Sequence, residues 1–299
     1  MFENGIVTVK NCLPLRDESA SIQLKLHKGS PPALVIFRIL LGGVDVLLPS
    51  GREARQLKNF LVLGCPEIRG FSISNSILQA FPGLGLQDRD GNFLSYTVQR
   101  SLDKYFRSTS TNKGFFEVIL NEVSRSLVAA GQGNNLSAFV YIYRAIEHMS
   151  YALPFFHARH SSNYLKAFND LRSLISQGDG ELKFCEKFIA HIYDGDVVAA
   201  TYKFEMTFSD PYSEKIMKYL KSVHSKHCVV TPTHVEVDFL KAFGFVVDVR
   251  NKFFHHLSGS NQSASSRQIQ DADEFFKPIN QVAISLVALI LGKMIAAEI

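Results

Sequence analysis

This sequence has no tryptophan and only four cysteines, Cys12, Cys65, Cys185 and Cys228. The cysteines stand far apart, and none forms a C-x-x-C pair. Zinc sites draw on closely paired ligands, so a cysteine zinc site is not expected, and neither is a disulfide framework. Long apolar runs are also scarce. Val282 to Leu291 is apolar, but Gly292 and Lys293 follow it. A membrane-spanning helix needs about 20 predominantly apolar residues. The run therefore predicts a buried core or oligomer helix rather than a membrane segment. The opening MFENGIVTVK lacks a basic start followed by an apolar stretch, so no secretory leader is expected and a cytoplasmic, reducing location is. An excess of one charge is missing too. The formal net charge is +4, which permits a polyanionic partner without demanding one.

What is present fits a globular chain with a substantial core: 299 residues, 46% hydrophobic, with 24 Phe and 10 Tyr to fill an interior. Residues 1 to about 108 read as strand-rich and mixed. IVTVK, SIQLKLH and ALVIFRILL are short and rich in branched residues, and GGVDVLLPSG is a further strand between turn signals. REARQLKNFL reads as a helix. Asp88, Asp90 and Asn92 begin like a calcium loop. Phe93 stands where that loop needs glycine and Gln99 where it needs glutamate, so LQDRDGNFLSY reads as a turn.

From about 109 the pattern turns helical. FFEVILNEVSRSLVAAG ends near Gly131, and Asn134 or Asn135 caps LSAFVYIYRAIEHMSYALPF, which Pro154 closes. Shorter helices follow around 162–177, 181–194 and 212–224. Thr233 is placed to cap a longer helix, HVEVDFLKAFGFVVDVRNKFFHHL, and a last helix runs from about Asp271 to Ala297. The predicted fold is thus α+β overall: an accessory domain over 1–108, then an all-α bundle over 109–299 with a helical insertion at 155–232.

One short stretch, RNKFFHH at 250–256, carries the functional signal. Arg250 falls on the apolar stripe that runs through Phe243 and Val246, where an unpaired guanidinium would be expensive. Asn251 and His255 are four apart and share the adjacent face. His255 and His256 lie in the last helical turn, where the dipole favours the protonated imidazole. On the second long helix Glu147 continues the stripe of Leu136, Phe139, Val140 and Tyr143, and so also needs a partner. Arg144, three residues earlier, is one candidate for it. His148, His157 and His160 lack metal-ligand spacing and read as surface histidines.

Arg250, Asn251 and His255 match R-N-x-x-x-H, the signature of HEPN-domain ribonucleases, which this chain resembles. By composition that pattern is expected only about 0.02 times in such a chain. The helix order also fits the family over 112–298, with Glu147 at the second-helix position that often completes its site. The resemblance implies a metal-independent endoribonuclease without a cofactor, active as a homodimer with paired motif helices. It implies cleavage of RNA (tRNA or mRNA) to a 2′,3′-cyclic phosphate and a 5′-hydroxyl. Proteins of this kind with a fused extra domain often act as bacterial toxins or in anti-phage defence.

The residue types suit that chemistry. RNA carries its own nucleophile, so the protein must supply acid–base groups and positive charge at the phosphate. His255 fits the first task and Arg250 the second, with Asn251 orienting His255 or touching phosphate. Lys252 is expected to face solvent and steer RNA, and His256 and Arg144 are further candidates for binding it. Control by a partner protein or by residues 1–108 is expected, because a free ribonuclease would harm its host. The alternative is a non-catalytic HEPN module that binds nucleic acid or nucleotides as a scaffold, and a membrane-active effector is a third, weaker alternative.

Overall fold

The computed structural model describes residues 2–3, 7–11, 26, 29–42, 44–58, 60, 104–160, 163–176, 185–186, 188–189, 193, 200–254, 269 and 271–298. Its contacts divide the chain into two compact units, Met1–His148 with Val287–Ile299, and Met149–Leu286. The α+β class expected from the sequence is what the chain adopts, with two small antiparallel sheets among its helices.

In the first unit, β1 (Phe2–Glu3), β2 (Thr8–Asn11), β3 (Val44–Leu47) and β4 (Glu53–Gln56) form a four-stranded antiparallel sheet in sequence order. Helix α1 (Pro32–Leu41) joins β2 to β3. ALVIFRILL was expected to be a strand, and the structure corrects this. Pro32 sits in the first helical turn, where its missing N–H costs nothing, and Gly42 ends the helix at φ +89°. A Cβ at Gly42 would lie 2.9 Å from the carbonyl oxygens of Leu57 and Lys58, so only glycine fits there. The helix is buried from Ala33 through Leu40, which is why its sequence shows no polar face and resembles a core strand. Even Arg38 is buried, and burial lowers its pKa to about 10.

EARQ (Glu53–Gln56) forms β4 and not the expected helix. Its residues favour helices on their own, but the turn at Gly51 (φ +79°) folds it back onto β3. There Asp45 pairs in register with Arg55, the two joined by a 3.0 Å ion pair. Sheet pairing overrides local propensity in this hairpin. Helix α2 (Lys113–Gly131) packs on α1, β3 and β4. At its end Gly131 allows close approach, since a Cβ there would lie 3.2 Å from that of Ala54. The helix expected to open a separate bundle thus belongs with the strands, and the unit division does not fall at 108/109. Helix α3 (Asn135–Ser150) follows, with Ala138, Phe139, Ile142 and Ile146 buried. The calcium-like loop at 88–99 and most of SIQLKLH lie outside the described residues.

The second unit holds α4 (Leu153–His160), α5 (Tyr164–Ser176), β5 (Lys203–Met206), α6 (Ser213–Val223), β6 (Cys228–Val230), β7 (Val235–Asp238) and α7 (Ala242–Phe254). The strands form an antiparallel sheet in the order β5-β7-β6. A region expected to be entirely helical therefore contains a sheet, and two of its strands lie inside the expected insertion. The long helix expected from Thr233 is also corrected. Val235 and Val237 alternate with half-buried Glu236 and Asp238, a strand pattern, and the α-helix starts only at Ala242. The last helix, α8 (Ala272–Glu298), begins with the Asp271 carboxylate accepting from the N–H groups of Asp273 and Glu274. The stretch Ala272–Gly292 is long and apolar enough to cross a membrane, with mean hydropathy 1.6, but 78% of it is buried in the protein. It is a core helix, as the sequence predicts.

Candidate functional site

Helix α7 carries Arg250 and Asn251 of the motif, and two of its faces do different work. Phe243, Phe245, Val246 and Val249 are buried. Gly244, Asp248 and Lys252, at intervals of four, line a polar seam toward the turn between α6 and β6. A Cβ on Gly244 would collide with the Glu186 carboxylate and lie 3.1 Å from His227 Cε1, so the seam is tight.

Asp248 is the hub of that seam. Its Oδ2 lies 2.8 Å from Nδ1 of His224, 3.1 Å from Nζ of Lys252 and 3.9 Å from Nε2 of His227. Lys252 also donates to the carbonyl of Val223, the last residue of α6. His224 is fully buried, and its Nε2 faces the Tyr219 hydroxyl at 3.4 Å. Burial lowers the His224 pKa, and the imidazole is neutral with Nδ1–H donating to Asp248. Burial also lowers His227, to about 4, against the pull of Asp248. Burial alone would raise Asp248, but hydrogen bonds from His224 and Lys252 outweigh it and hold the carboxyl at about 2. Cys228 Sγ donates to the His224 carbonyl, and burial pushes its thiol up to about 11, which makes it an inert packing group. With its imidazole sealed from solvent, the Asp248–His224 pair is an anchor for α7 and not an acid–base dyad for a substrate.

Arg250 and Asn251 lie off this seam. Arg250 is half-buried and Asn251 exposed, and Nη1 of Arg250 donates to Oδ1 of Asn251 at 3.1 Å. The stripe position expected for Arg250 leaves it half-buried beside buried Val249, where its guanidinium reaches the Asn251 side chain. Phe253 packs edge-on against Phe276 at 4.8 Å and parallel to Phe275 at 6.5 Å, which ties the end of α7 to the start of α8. Lys252 departs from the solvent-facing placement predicted for it. Its side chain is only 19% exposed and is bound to Asp248 and Val223. His255 and His256 lie outside the described residues.

Glu147 is half-buried on α3 and belongs to the first unit, whereas Arg250 belongs to the second. Arg144 pairs with Glu122 of α2, Nη2 to Oε1 at 3.3 Å. Glu122 is buried, which raises its pKa against the attraction of Arg144 and Arg125. His148 stacks on Phe115 at 4.9 Å, and burial lowers its pKa, so it is a half-buried packing group and not the surface histidine expected. Sequence reasoning missed Glu122, Asp248, His224 and His227. For Asp248 a signal existed in its spacing of four from Lys252.

No family model, curated protein or solved structure matches this chain.

Proposed function

We propose that this chain is a metal-independent endoribonuclease of the HEPN type, cytoplasmic and acting in a bacterial toxin or anti-phage system. The observation that carries the reading is the Arg250–Asn251 contact of 3.1 Å on the outer side of a helix held from behind by Asp248. The amide oxygen fixes the plane of a guanidinium, the group suited to binding two phosphate oxygens at once. In the proposed reaction a 2′-hydroxyl loses its proton to a histidine and attacks the adjacent phosphorus. The 5′-oxygen leaves with a proton from a second histidine, giving a cyclic phosphate and a 5′-hydroxyl. His255 of each of two copies serves these steps, and Arg250 stabilises the charge that builds on the phosphate. Asn251 acts as a positioning residue for Arg250.

The test uses purified protein with total RNA and tRNA in EDTA, beside His255→Ala, Arg250→Ala and Glu147→Gln. Each variant must first match the wild type in melting and oligomeric state. Wild-type cleavage to cyclic-phosphate ends, lost in the His255 and Arg250 variants, supports the nuclease. Binding without cleavage in every form, weakened by Arg250→Ala, supports a phosphate-binding module instead. Equal cleavage by all forms rejects the site. Loss of activity in Glu147→Gln would bring that residue into the reaction.

A further inference from the structure

The first unit contains an open cleft of about 890 Å³, bounded by the β3–β4 turn on one side and by the exposed faces of α2 and α3 on the other. Its size suits one small organic molecule. The lining joins two kinds of surface. Leu48, Pro49 and Val118 are apolar, while Arg52, Asn121, Arg125, Asn134, Ser137 and Tyr141 bring polar and cationic groups.

The charges are unequal. Two arginines line the cleft against one carboxylate, Glu117, for a net of +1 (two minus one), and that carboxylate lies 3.6 Å from Lys113. The nearby Glu122 is buried and paired with Arg144. The Arg125 side chain is held in place: Nε donates to Asn121 Oδ1 at 3.1 Å, and the guanidinium carbon lies 5.9 Å from the centre of the Tyr141 ring. Arg52 stands exposed on the turn across the cleft. A hydrogen-bonded guanidinium backed by an aromatic ring offers both a flat stacking surface and donors to an anion. A metal cation would find two arginines and one carboxylate, and a purely apolar ligand would strand the polar lining.

We propose that this cleft binds a small organic phosphate carrying a flat ring, with Arg52 and Arg125 on the phosphate and the ring stacked against the Arg125–Tyr141 wall. This site uses none of the residues of the proposed nuclease and stands or falls independently of it.

The experiment titrates a fluorescent ATP analogue into the full chain and competes it with ATP, GTP, inorganic triphosphate and a short single-stranded RNA. Arg52→Ala, Arg125→Ala and Tyr141→Leu are measured beside the wild type, each checked for unchanged melting. The expected result is binding that weakens as salt rises and falls at least about tenfold in each arginine variant. Tyr141→Leu is expected to weaken ATP while sparing inorganic triphosphate. No saturable binding up to about 1 mM overturns the proposal. So does equal competition by inorganic triphosphate and ATP, which removes the role of the ring. RNA that ATP cannot displace, bound through the same arginines, also overturns it and assigns the cleft to a nucleic-acid strand.

Discussion

Asp248 and His224 are 24 positions apart in the chain, and the carboxylate accepts a 2.8 Å hydrogen bond from the buried imidazole. Through this bond α7 is fixed to the turn after α6, and Lys252 closes the same link one helical turn later. The pair holds the backbone that presents Arg250 and Asn251. A site that must place a guanidinium within tenths of an ångström depends on such supporting contacts, which touch no substrate themselves.

Substituting Asp248→Ala removes the acceptor from two donors at once, and His224 has no water to turn to. The expected loss is about 2–3 kcal/mol, since hydrogen bonds to charged groups each contribute about 1.5–3 kcal/mol and solvent compensates Lys252 in part. Urea unfolding followed by tyrosine fluorescence reads it as a lower midpoint. A midpoint equal to the wild type would remove Asp248 from its anchoring role.

The same network sets a direction for pH. His224 and His227 both have lowered pKa values, so the unfolded chain takes up protons first. The contribution of His227 to stability is full above about 6.5, the unfolded value, and is lost as pH falls toward about 4, and His224 adds a loss in the same direction. Asp248, held at about 2, adds a second loss below its unfolded value of about 3.9. Stability should therefore drop in two stages on acidification. The lower stage should shrink in Asp248→Asn, and stability that rises between pH 6.5 and 4 would contradict the assignment.

Lys252 separates a structural role from electrostatic steering. Because its ammonium is turned in to Asp248 and Val223, Lys252→Met should lower the melting temperature. It should leave the salt dependence of RNA binding almost unchanged. A lysine that neutralised a phosphate would change the slope of log K against log salt by about one. A slope change of that size with unaltered melting would place Lys252 on the RNA.

The sequence made some of this legible and hid the rest for physical reasons. The helices at 113–131, 135–150 and 272–298 announced themselves by apolar period, capping residues and glycine stops. Helix α1 did not, because burial on all sides removes the polar face that marks a helix. The strand β4 was concealed by helix-favouring residues that only a partner strand overrules, although Gly51 marked the turn. For β7 the alternation of Val235 and Val237 was visible but was absorbed into a longer helical pattern. In the site, Arg250 and Asn251 could be read as a motif. The Asp248–His224 bond could not, since no local spacing reports a contact across 24 residues.

Arg144 and Glu122 supply the last test, and it bears on which charges of the first unit are structural. The Glu122 carboxylate is buried, and its Oε1 meets Arg144 at 3.3 Å while Oε2 has no hydrogen-bond partner among the described residues. Removing Arg144 leaves a buried carboxylate without its nearest cation, whereas neutralising Glu122 as well leaves no buried charge to desolvate. Arg144→Leu should therefore destabilise by about 1–2 kcal/mol, a modest figure because the Arg144 side chain is largely solvent-exposed. Glu122→Gln added to it should restore much of that loss in a double-mutant cycle. If Arg144→Leu instead leaves unfolding unchanged and weakens RNA binding, Arg144 serves the ligand, as the sequence first suggested, and Glu122 merely orients it.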